Sequence, residues 1–184
     1  VFDPAAGTWS LVADHRGQTY YDPASGEAST CALGVEPPEG WPDTPPPAGM
    51  VGPTWDGAQW VGNLALAKEQ KQAALLDTVQ RFIQYKPDGR IRYDGDLKMN
   101  LINAALVATM QQQAPPAAYV SVSQWIAAVQ AEYFTLKAAV AAAADEAALA
   151  AVDISSERLE GLYGVEGTSL PDPDKSTADL IGPQ

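Results

Sequence analysis

The chain has 184 residues, a formal net charge of -12, a pI near 4.3 and 46% hydrophobic residues. That length admits one ordinary domain or two small ones, and much of the apolar fraction is alanine, concentrated between Ala138 and Ala151, so the expected cores are thin. The negative balance works against a phosphate backbone as ligand, and the eleven Lys and Arg are scattered, with Arg90 and Arg92 the closest pair, so nucleic acid is not expected as a partner.

Residues 1–61 hold Trp9, Trp41, Trp55 and Trp60 and most of the prolines. Trp9-Ser10-Leu11-Val12-Ala13 alternates apolar residues and predicts a strand, which His15-Arg16-Gly17 turns. Gln18-Thr19-Tyr20-Tyr21 is a second β-rich run, reversed at Asp22-Pro23-Ala24-Ser25-Gly26, and Glu27 to Leu33 is a third. Together they predict a small antiparallel meander. Gly34 to Pro53 is too rich in proline for a helix or a central strand. Trp55-Asp56-Gly57-Ala58-Gln59-Trp60 reads as a hairpin turning at Asp56-Gly57. A module with so little core is expected to dock on something.

Helical patterning begins at Asn63, a candidate N-cap, and runs through Tyr85 with Leu75, Val79 and Phe82 at helical spacing. Pro87-Asp88-Gly89 stops this helix. Arg90 to Tyr93 forms a short extended link, and Asp94-Gly95-Asp96 leads into a second helix. Its apolar face is marked by Met99, Ile102, Leu106 and Met110 and widened by Leu97, Leu101 and Ala105. Ser121 and Gln124 have the spacing of a capping box and are expected to open a third helix, striped by Trp125, Val129, Tyr133 or Leu136, and Val140. A last short helix follows Ser155 or Ser156 and ends at Gly161. The expected fold class is therefore α+β, with an antiparallel β-module over 1–61 and an α-helical domain of three main helices over 62–161. An irregular tail, rich in Gly, Pro, Ser and Asp, occupies 162–184.

Candidate chemistry is sparse. Cys31 is the only cysteine and His15 the only histidine, which removes intrachain disulfides and cysteine-based zinc sites. Asp14-His15-Arg16 is read as turn chemistry rather than as a catalytic group, for want of a nucleophile. Asp172, Asp174, Ser176 and Asp179 lack the central glycine and terminal glutamate of a calcium loop. Gly161, Gly164 and Gly167 lie in an acidic context without the lysine of a phosphate loop. No catalytic, cofactor or metal residues are expected, and the chain is read as a non-enzyme. The tryptophans are assigned to a small core, with a carbohydrate-stacking platform as the alternative. No apolar run approaches a membrane span and no signal-peptide pattern opens the chain, so it is expected to be soluble and made in a reducing cytoplasm.

The first region resembles the small modules of tail-fibre assembly and tail-fibre accessory proteins of tailed bacteriophages. The resemblance rests on Trp9-Ser10-Leu11-Val12 running into Asp14-His15-Arg16-Gly17, then Thr19-Tyr20-Tyr21-Asp22 and Gly26. It ends with Trp55-Asp56-Gly57-Ala58-Gln59-Trp60-Val61 leading into an alanine-rich helix, and it covers about a third of the chain. It implies a chaperone or accessory protein that binds a tail-fibre or other tail protein in the host cytoplasm during assembly. The alternative it leaves open is a structural subunit of the virion tail, fibre or baseplate. Trp55 and Trp60 carry over only as structural or partner-contact positions. Independently, the stripe Trp125, Val129, Leu136 and Val140 on an alanine-backed helix points to burial against a second copy or a fibre subunit.

Overall fold

The computed structural model describes residues 2–9, 13–86, 89–92 and 95–160. The fold is α+β, and it separates into two compact units, Val1–Ala67 and Lys68–Gln184. Leu11 and Val12 of the first expected strand, and the tail from Leu162, lie outside the described residues, as do Asp172, Asp174, Ser176 and Asp179.

In the first unit the described strands form three separate antiparallel pairs rather than one continuous meander. Strand β1 (Phe2–Asp3) pairs with β2 (Thr8–Trp9), β3 (Thr19–Tyr21) with β4 (Ala28–Thr30), and β5 (Thr54–Trp55) with β6 (Trp60–Val61). The strands are two or three residues long because turn residues and prolines interrupt them. At the β3–β4 reversal the Asp22 carboxylate accepts from the Ala24 N–H at 2.8 Å, and the Asp22 carbonyl accepts from the Gly26 N–H at 2.7 Å.

Gly26 is needed there twice over. Its φ of +74° is left-handed, and a Cβ would stand 3.0 Å from the Cγ atoms of both Pro46 and Pro53. Proline carbonyls also tie the pieces together. The Tyr21 N–H donates to Pro42 at 2.9 Å and the Trp55 N–H to Pro23 at 2.7 Å. Proline lacks a donor but keeps its acceptor, so a proline-rich segment serves as an acceptor for neighbouring strands. Trp60 and Pro42 are the residues of the first unit that are buried among those described. The expectation of a thin core holds.

Helix α1 (Leu64–Gln84) opens on Asn63, whose side-chain oxygen accepts from the Leu66 N–H at 3.1 Å. It buries Leu75, Val79 and Phe82, as its spacing predicts. Helix α2 (Gly95–Met110) ends with Gln112 at φ 57°. The Gln113 N–H bonds to Ala108 and the Gln112 N–H to Thr109, a Schellman closure with glutamine in the left-handed position. Helix α3 (Ala117–Ala142) starts at Pro116, not at Ser121. Pro116 is the N-cap, with φ -52° and ψ 138°, and gives its carbonyl to the Val120 N–H at 3.1 Å. Ser121 and Gln124 consequently lie inside the helix. Two short helices follow, α4 (Glu146–Ala151), capped by the Asp145 carboxylate, and α5 (Ser156–Glu160).

The core of this unit gathers Leu75, Val79 and Phe82 of α1, Leu97 and Leu101 of α2, Val122, Trp125, Val129 and Leu136 of α3, and Leu159 of α5. On α2 the buried residues are Leu97, Leu101, Ala105 and Ala108. Met99, Ile102, Leu106 and Met110, expected to share one apolar face with Leu97, Leu101 and Ala105, stand exposed instead. Apolar residues on both sides of α2 leave the inward face to be decided by tertiary packing, and α3 packs on the Leu97–Leu101 side.

The C-terminal ends of three helices take cations from distant sequence. Lys68 of α1 donates to the Ala141 carbonyl near the end of α3 at 2.8 Å, and Lys71 donates to Leu149 and Ala150 at the end of α4. Neither α3 nor α4 has a basic residue in its own last turn. Arg92 serves α1 in the same way. A cation at these negative helix ends satisfies orphan carbonyls and the macrodipole together.

Candidate functional site

Asp14-His15-Arg16 is folded into a turn. The Arg16 guanidinium pairs with the Asp14 carboxylate at 2.6–3.0 Å, and that hydrogen bonding holds the Asp14 carboxyl below the ordinary carboxylate value. The His15 ring lies 2.8 Å from the Gln18 side-chain oxygen, which also accepts from the Tyr20 hydroxyl at 2.6 Å. The polar side chains here are spent on one another and on the turn.

The second aromatic motif closes as the β5–β6 hairpin. Asp56 accepts from the N–H groups of Ala58 and Gln59, each at 2.8 Å, and Gly57 takes φ 103°. The Gln59 and Ala58 donors hold the Asp56 carboxyl below its ordinary value. Trp55 and Trp60 are directly cross-strand, with ring centroids 5.5 Å apart in an edge-to-face arrangement. The Trp60 indole N–H donates to the Thr44 carbonyl at 2.8 Å, and the residue is 8% exposed. Trp55 is half-buried. Trp60 is thus a core residue, and Trp55 is the member of the pair left partly open.

The helical stripe calls for a correction. Trp125, Val129, Leu136 and Val140 are all buried within the second unit, and Trp125, Val129 and Leu136 belong to its core cluster. The expected shortfall of covering surface does not arise for them. In the core cluster Trp125, Val129 and Leu136 lie with residues of α1 and α2 and with Leu159 of α5, the short helix expected after Ser155 or Ser156. These four residues are structural, so they are not an open contact surface.

Arg92 is the residue that sequence patterning missed. It is 3% exposed, its Nε donates to the Phe82 carbonyl at 3.2 Å and its Nη2 to the Tyr85 carbonyl at 3.1 Å. Its guanidinium lies 5.3 Å from the ring centroids of both Phe82 and Trp125. Its own N–H donates to the Gln84 carbonyl, so one residue meets three carbonyls at the end of α1. The signal available in sequence was the helix stop at Pro87-Asp88-Gly89, and the described residues beyond it return to the helix end, with Tyr85 bridged to Ile91.

Beside Arg92 lies an open cleft of about 970 Å³, bordered by Asp77, Arg81, Tyr85, Lys86, Glu157 and Glu160 among others. Arg81 and Asp77 form an ion pair at 2.9 Å across successive turns of α1. The walls carry both signs of charge. No known family, curated protein or solved structure matches the chain.

Among the described residues there is no group of three or more His, Cys, Asp and Glu able to hold a metal, and no helix is long and apolar enough to cross a membrane. Two surfaces of the described residues carry apolar side chains that are exposed or only half-buried. One is the Trp55 side of the β5–β6 hairpin. The other is the exposed face of α2, whose residues were read from sequence as apolar.

Proposed function

We propose that this chain is a tail-fibre assembly or accessory protein of a tailed bacteriophage and that it acts by binding other proteins. The observation that carries the reading is the Trp55-Asp56-Gly57-Ala58-Gln59-Trp60 hairpin. Each motif position has a distinct job there: a cross-strand indole pair, an acceptor for two loop amides and a left-handed glycine. The hairpin belongs to a unit in which only Trp60 and Pro42 are buried among the described residues. So slight a core gains stability from a protein surface laid against it. A sugar platform needs open indole faces, and the burial of Trp60 favours protein over carbohydrate.

The test is co-expression of the full chain with the tail-fibre subunit encoded nearest to it. A fibre-binding assembly protein raises the yield of soluble fibre trimers and co-purifies with them, and Trp55→Ala weakens both effects. Fibre trimers that form equally well without the chain, and do not bind it, would overturn the proposal. Mass spectrometry of purified particles then divides the two roles. Absence from particles marks a chaperone working in the host cytoplasm; stoichiometric presence marks a subunit of the virion tail.

A further inference from the structure

Helix α2 has two apolar faces. Leu97, Leu101, Ala105 and Ala108 face inward, and Met99, Ile102, Leu106 and Met110 remain between 52% and 78% exposed. At 3.6 residues per turn the four exposed side chains fall within an arc of about 80°, one continuous strip three turns long. An isolated exposed leucine needs no explanation, whereas a contiguous strip of four large residues does.

The strip's surroundings narrow its occupant. From Met99 to Ala131 no residue carries a charge, in a chain whose net charge is -12. A basic partner is recognised by carboxylates, and this stretch offers none. Two copies of the chain repel each other through their acidic surfaces, and an uncharged strip lets them meet with carboxylates kept away from the contact.

The strip also complements itself. Laid antiparallel about a twofold axis near residue 104, Met99 faces Met110 of the other copy and Ile102 faces Leu106. An isologous contact requires this correspondence of each residue with its mate. The helix dipoles then oppose one another. Lys98, next to the strip at the start of α2, comes beside the end of the other α2, whose own last turn has no basic residue. The ends of α1, α3 and α4 already take cations from elsewhere in the sequence, and the pairing gives α2 the same arrangement. Exposed Gln111, Gln112 and Gln113 supply a polar rim.

We propose that the Met99–Ile102–Leu106–Met110 face of α2 binds the same face of a second copy, antiparallel, to form a homodimer. This does not rest on the fibre reading. Four partly exposed side chains per copy cover less than the ~800 Å² a partner contributes to a standard stable interface, so the dimer is reversible, with a dissociation constant on the order of micromolar or weaker.

Sedimentation velocity on the full chain from low to high micromolar concentration should show a monomer–dimer equilibrium. Leu106→Glu should weaken it at least tenfold while far-UV circular dichroism stays as in the wild type, because the side chain is exposed. Should that variant misfold, Leu106→Gln carries the same test. An equimolar mixture of Ile102→Cys and Leu106→Cys chains, each in a Cys31→Ser background, should form a disulfide-linked dimer between the two variants under mild oxidation. A chain that is monomeric throughout, or one whose dimer is untouched by Leu106→Glu and Ile102→Glu, would overturn the proposal.

Discussion

Replacing Arg92 by alanine tests whether a single buried cation holds the end of α1 against the rest of the helical unit. The side chain donates to the carbonyls of Phe82 and Tyr85 and lies over the rings of Phe82 and Trp125. Hydrogen bonds from a charged donor are worth about 1.5–3 kcal/mol each, and a desolvated cation–π contact about 1–2 kcal/mol. Against these stands a desolvation cost of several kcal/mol for the guanidinium. Alanine removes both sides of that balance, but it also withdraws two donors from a buried helix end and leaves the volume of the arginine stem empty. The expected net loss is about 3–4 kcal/mol. With a urea dependence of about 1–3 kcal/mol per molar, the midpoint falls by roughly 1–4 M. Far-UV circular dichroism during urea titration reports it, because the helices dominate that signal. Arg92→Lys keeps the charge but not the planar fork, and recovers about half of the loss. A midpoint for Arg92→Ala indistinguishable from wild type would refute the assignment of Arg92 as the cap of α1.

Leu136 and Leu106 should respond in opposite ways: Leu136→Ala, in the core, costs about 2–5 kcal/mol in the same titration, and Leu106→Ala, on the exposed strip, changes monomer stability by less than about 0.5 kcal/mol. Equal losses at the two sites would mean that the faces of α2 and α3 are wrongly assigned. Gly26→Val places a branched side chain at φ +74° against Pro46 and Pro53, and the Trp55–Trp60 exciton band should be lost while helical ellipticity persists. The Asp56 carboxyl has a folded pKa below its ordinary value, so its contribution to the β5–β6 hairpin is complete above that ordinary value. It declines as pH falls through the lowered folded value. The Trp55–Trp60 exciton band should therefore fade only in strong acid, and Asp56→Asn should remove that step; an unchanged acid profile in the variant would assign the step to another carboxyl.

How much of this was legible in the sequence depended on whether the deciding interaction was local. Asn63 as a cap and Leu75, Val79 and Phe82 as a stripe are local facts, and the structure has them where the spacing puts them. The start of α3 was misplaced because the Ser121–Gln124 spacing outweighed Pro115-Pro116, although proline at a helix start was the better signal. On α2, periodicity could not choose between two apolar faces, since the choice belongs to α3 and the core around it. The stripe of α3 was found correctly as a set of residues and then given to a partner; the short helix after Ser155 or Ser156 was expected too, but that its Leu159 packs into the same core is a tertiary fact that spacing does not carry. Arg92 was invisible as a buried residue, since nothing in composition announces a cation that will be enclosed by two rings. At the candidate surface the Trp55–Trp60 hairpin was readable, and the exposed strip of α2 was readable only as its opposite.

The proline carbonyls that hold the first unit together have a thermodynamic consequence. Unfolding that unit breaks amide–carbonyl bonds such as Tyr21 to Pro42 and Trp55 to Pro23 but uncovers little apolar surface. Heat-capacity change follows apolar exposure, and newly exposed polar groups lower it. The unit's stability therefore varies gently with temperature, without a sharp optimum. The helical unit, which encloses Trp125, Phe82 and a ring of leucines, has the steeper and more curved profile. Within one chain, the β-rich end is built to behave alike in the cold and in the warm, and the helical end is the part that keeps a preferred temperature.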